Sequence, residues 1–85
     1  TAFTIATIRS EILDFGNSCI NGRKHTKEEF DYIIQENEAY EKLVDKYEIE
    51  NNVYKETYGY ILRLYRRLLD DGKFLVAPAK GQEIG

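Results

Sequence analysis

Residues 25–47 read HTKEEFDYIIQENEAYEKLVDKY, and this stretch decides the fold. Thr26 followed by Glu29 fits the S/T-x-x-E capping box: the threonine oxygen accepts one orphan backbone N–H and the glutamate reaches back to another. Behind that start, Phe30, Ile33, Tyr40, Val44 and Tyr47 recur in steps of three and four, with Asn37 in the remaining stripe position. That spacing marks one face of an α-helix. Such a helix draws most of its stability from burying the apolar face, so the rest of the chain must cover it.

The flanking segments repeat the rhythm. Between about Thr4 and Asn21, Ile5, Ile8, Ile12, Phe15 and Cys19 form a stripe, with Leu13 and Ile20 on its flanks and Thr1 or Thr4 as the cap. Gly16 inside it costs about 1 kcal/mol against alanine, so either the helix breaks there or another backbone comes close. The stripe keeps phase, which predicts continuity to Ile20 and a stop at Asn21-Gly22. After a connection at Glu48 to Asn51, capped by Asn51 or Asn52, the third segment spans Val53 to Asp71. It carries Tyr54, Tyr58, Ile61, Tyr65 and Leu68, with Leu62 and Leu69 widening the face and Leu64 off it. Gly59 again suggests close approach. Gly72 is a natural terminator, although Asp70 and Asp71 oppose the helix dipole there. The short apolar stretch KFLV, residues 73–76, is expected to fold back over the bundle. Pro78 ends regular structure and leaves a loose terminus.

These segments predict an all-α domain, a three-helix bundle with a short C-terminal extended tail. Residues 1–76 form one helical domain and residues 77–85 a flexible tail. The 85 residues allow one small core, and a composition 42% hydrophobic and 32% charged is an ordered one. The formal net charge of −3 gives no global attraction for nucleic acid, so any such contact needs a local basic patch. A single cysteine excludes an intrachain disulfide and suits a reducing compartment, so the expected location is cytoplasmic. No apolar run approaches the about 20 residues of a membrane span, so this segment is not expected to insert. The chain opens on Thr1 rather than Met, which leaves room for an excised piece and for a membrane tether before it.

Two basic clusters are the candidate anion or nucleic-acid sites. Arg23, Lys24 and His25 precede the second helix, whose free N–H groups suit a phosphate or carboxylate; the bland alternative is a solvated turn. Arg63, Arg66 and Arg67 share one face of the third helix, where a groove-reading role competes with a surface paired to Glu56 and Asp70. Asn37 is either a buried polar specifier of register or partner, or a boundary residue. Cys19 reads as a small buried hydrophobe, and one Cys with one His is too few ligands for a metal. No catalytic residue, metal or cofactor is implied, and enzymatic activity is not expected. The narrow, tyrosine-rich stripes make a small core. Burial of exposed Tyr32, Tyr60, Leu64 and Phe74 in a second copy or a protein partner is therefore expected.

The stretches IRSEILDFGNSCINGRKHTKEEFDYIIQENEAYEKL and ENNVYKETYGYILRLYRRLL resemble the small helical domains encoded by bacteriophages and prophages of Gram-positive hosts. The shared features are the turn from Gly22 to Thr26, Phe30, Ile33 and Tyr40 on the second helix, the Asn51-Asn52 turn, and Ile61 with Tyr65 on the third. The resemblance covers about three quarters of the chain, at mostly structural positions. Such domains often follow an N-terminal hydrophobic segment, and family roles include membrane-associated lysis and DNA organisation. Taken with the tyrosine-rich stripes and the basic clusters, the expected function is a non-enzymatic interaction or self-association module of phage or prophage origin, with weak nonspecific nucleic-acid binding as the alternative.

Overall fold

The computed structural model describes residues 2–47 and 52–76. Three helices account for nearly all of them: α1 (Ala2–Ile20), α2 (Lys27–Tyr47) and α3 (Asn52–Asp71). The capping box at Thr26 is formed in full. The Glu29 N–H donates to Thr26 Oγ1 at 3.1 Å, and the Thr26 N–H donates to Glu29 Oε1 at 2.8 Å. Both glycine stops are as expected. Gly22 and Gly72 adopt φ of 91° and 64°, the left-handed region where a side chain is strained. Beyond Gly22, the Arg23 N–H reaches back to the Ser18 carbonyl and the Gly22 N–H to that of Cys19, which completes a Schellman motif. The helix-two-to-three connection and the terminus after Val76 lie outside the described residues, with the expectations placed there.

The bundle runs up, down, up. Phe30 near the start of α2 meets Tyr65 late in α3, while Tyr40 stacks on Tyr54 at the opposite end, so those helices are antiparallel. The central helix is α1, which lies along both others; α2 and α3 approach each other less closely. Gly16 does not break α1. A Cβ there would collide with the Thr57 methyl and touch Ile61, so α3 packs directly over the glycine. The close neighbour is a side chain, not the backbone the sequence suggested. Gly59 has no such reason: a Cβ there would meet only Arg63 of its own helix.

The three stripes converge as predicted on Ile5, Ile8, Ile12, Cys19, Phe30, Ile33, Tyr40, Tyr54 and Ile61. Three expectations are corrected by the packing. Leu64 is half-buried against the core rather than off it, while Leu69 and Ile20 are exposed. Tyr60 and Phe74 are also half-buried on the core, so only Tyr32 of the four self-association candidates is an exposed side chain. His25 is buried rather than presented at the turn. The added burial has a common source. The tail after Gly72 folds back as expected, the Leu75 N–H donates to the His25 carbonyl at 3.0 Å, and Phe74 packs on Phe30 and Tyr65. That strap covers the end of the bundle and adds core where the sequence pattern showed surface.

Candidate functional site

The end of the bundle formed by the last turns of α1 and α3, the α1–α2 turn and the strap holds a half-open cleft. Its volume is about 260 Å³. Cys19 from α1, Phe30 from α2, Tyr60, Leu64 and Leu68 from α3, and Leu75 from the strap give it an apolar lining. Tyr60, Leu64 and Leu68 fall together because steps of four residues keep to one edge of α3. Arg23, Lys24 and Lys73 supply the charge, and among the described residues no carboxylate lines the cleft. The candidate anion residues Arg23 and Lys24 and the candidate association residues Tyr60 and Leu64 therefore meet in one place. Sequence reading kept them apart because it had no means to bring α3 against the turn. Lys73 was missed altogether, since nothing before folding ties the strap to residues 23–25.

A buried polar latch holds the turn. The Ser18 hydroxyl lies 2.7 Å from His25 Nε2 and donates to the Phe15 carbonyl at 2.8 Å. The ring tautomer of His25 decides which of the two donates across that contact. His25 Nδ1 stands 3.5 Å from Glu29 Oε1, too long for a good hydrogen bond, and is otherwise unpartnered. Serine, histidine and carboxylate thus occur in the order of a hydrolase triad. His25 Nδ1 and Glu29 Oε1 are too far apart for the hydrogen bond by which a triad carboxylate orients its histidine. The ring also packs against Phe15 at 4.2 Å between centroids. Ser18 and His25 straddle the Gly22 turn, a signal visible in the sequence only once the turn is known to reverse the chain.

Electrostatics follow from this geometry. The Thr26 backbone N–H holds the Glu29 carboxyl below the ordinary range, with His25 adding to it. Burial pushes the Cys19 thiol up to about 11, so it is a packed hydrophobe rather than a reactive nucleophile. Arg63, Arg66 and Arg67 are exposed on the outward face of α3, and neither Glu56 nor Asp70 forms an ion pair with them. Tyr32 is 50% exposed on α2, and its hydroxyl contacts Glu11 Oε2 at 3.4 Å. The carboxylates of Glu36 and Glu11 hold its phenol above the ordinary range.

Asn37 resolves in favour of a buried polar contact. Its Oδ1 accepts the Tyr54 hydroxyl at 2.6 Å, and its amide donates to Glu41 at 2.8 Å. The bond joins α2 to α3 deep in the core, at the opposite end from the cleft. No helix among the described residues is long and apolar enough to cross a membrane. Comparison with protein-family models, curated proteins and solved structures finds no match for this chain.

Proposed function

We propose that this chain is a non-enzymatic helical interaction module of phage or prophage origin, which works by seating an apolar side chain flanked by negative charge. The observation that carries the reading is the cleft: an apolar lining, three cations with no carboxylate beside them among the described residues, and one open side. Its volume lies below the about 300 Å³ at which small-molecule sites begin, which favours one bulky anchor over a cofactor. Cations around an apolar pocket select charge and register, while the anchor supplies most of the affinity.

The test uses 4-hydroxyphenylacetate, a tyrosine-like ring bearing one carboxylate, titrated into the ¹⁵N-labelled protein. Amide shifts concentrated at Gly22, Lys24, Leu64 and Leu75 are expected. Absent shifts, or shifts spread evenly over the bundle, would refute the site. The outward arginines of α3 favour a second reading, weak nonspecific nucleic-acid binding. Anisotropy of a labelled duplex at about 50 mM salt tests it, because phosphate neutralisation is strongest there. No retention at that salt eliminates it. Retention that falls steeply as salt rises would replace the interaction reading.

A further inference from the structure

Besides the cleft, the described surface carries one feature that matches it in shape and opposes it in charge. Tyr32 stands out from α2 as a half-exposed aromatic. Glu28 and Glu36 lie one turn to either side of it, and Glu11 reaches it from α1. Glu28 and Glu29 also border the shallow hollow between Tyr32 and Phe15. An aromatic ring ringed by carboxylates is what the cleft, apolar within and cationic around, is built to take. We propose that the occupant of the cleft is Tyr32 of a second copy of this chain. The inference rests on the interaction reading above and names its partner.

The chemistry is matched point by point. The phenol ring fills the space between Tyr60, Leu64 and Leu75, and the glutamates around it face Arg23, Lys24 and Lys73. An aromatic anchor in a pocket, with opposite charges around the rim, is the arrangement that concentrates binding energy at protein interfaces. The cleft lies between α1, α3 and the strap, whereas Tyr32 faces the α1–α2 side, so each copy carries both halves on separate surfaces. A contact of that kind is heterologous, and association runs head to tail.

The experiment separates the two halves. Sedimentation of the intact chain, up to about 1 mM so that even a weak contact is populated, should give a weight-average mass that rises above the 9.9 kDa monomer. Tyr32→Ala removes the knob, and Arg23→Glu/Lys24→Glu/Lys73→Glu inverts the rim; all four positions are exposed, and far-UV circular dichroism checks the fold. Each variant alone should lose association by more than about tenfold, a deletion at an interface centre. Mixed together they should form a 1:1 heterodimer and stop there, because only one knob and one cleft remain.

A monomer at every concentration overturns the assignment, as does association that Tyr32→Ala leaves unchanged or variants that fail to complement. If the chain stays monomeric yet takes 4-hydroxyphenylacetate in the cleft, the site serves a different protein and only the second-copy assignment falls. If the chain associates through Tyr32 while the probe does not bind, the cleft reading falls with it.

Discussion

Two tyrosines stacked in the core should respond with opposite signs to the same substitution. Tyr40 and Tyr54 have ring centroids 4.2 Å apart, and neither is more than 2% exposed. Losing either hydroxyl to phenylalanine keeps the ring, its stacking and nearly all its volume. The Tyr54 hydroxyl donates to Asn37 at 2.6 Å, so Tyr54→Phe leaves a buried carbonyl oxygen without its donor. That costs about 1–3 kcal/mol. A domain of this size loses about 4–8 °C per kcal/mol, so a loss of about 2 kcal/mol lowers Tm by about 8–16 °C. The Tyr40 hydroxyl is buried with no hydrogen-bond partner, so Tyr40→Phe relieves a desolvated group and should be neutral or stabilising by up to about 1 kcal/mol. Urea unfolding followed by circular dichroism measures both. Adding Asn37→Leu to Tyr54→Phe should recover part of the loss, because both polar partners are then gone. Equal effects at the two tyrosines, or a Tyr54→Phe cost under about 0.5 kcal/mol, would refute the assignment of Asn37–Tyr54 as the polar tie of the core.

Gly16→Ala should destabilise despite the about 1 kcal/mol of helix propensity it adds, because the new methyl meets Thr57; in a Thr57→Ser background, which lacks that methyl, the same change should become neutral or favourable in urea unfolding. The Glu29 carboxyl is held below its ordinary range in the folded chain, so it contributes stability that is full above the unfolded value and lost as pH falls through the folded one. Glu29→Gln should therefore be less stable than the parent near neutral pH, and the gap should close on acidification; a gap independent of pH would contradict this. With its thiol pushed up to about 11 and its side chain 5% exposed, Cys19 should alkylate far more slowly than a peptide thiol at neutral pH, as followed by intact mass.

The helices were legible because each rests on local signals. The box at Thr26 and Glu29, the glycines at 22 and 72 and the phase of the apolar stripes all act within a few residues of chain. The end of the bundle was not legible, because it is made by contacts between distant residues. Leu64 reads as surface on α3 alone and becomes lining only when α1 and the strap arrive beside it. His25 reads as a surface cation from its neighbours Arg23 and Lys24. It is buried because Phe15, Phe30 and Ser18 enclose it from two helices and Leu75 binds its carbonyl. Asn37 was ambiguous for a similar reason: a polar residue in an apolar stripe is tolerable only with a partner, and Tyr54 lies 17 residues away.

The parts that hide His25 also determine what the cleft can do. Arg23 and Lys24 sit between a left-handed glycine and a capped helix start, in a turn tied to α1 through Ser18 and to the strap through Leu75. Their backbone is thus ordered before any partner arrives, which lowers the entropy cost of binding. Their long side chains remain in water and keep their freedom until contact, so they discriminate by charge more than they add affinity. Lys73 is different, because it follows the α3 stop and leads into the strap that forms one wall. Loosening the strap would open the apolar lining and displace one cation together. The cleft is therefore a property of the closed end of the bundle rather than of α3, and an isolated peptide of residues 52–71 would not reproduce it.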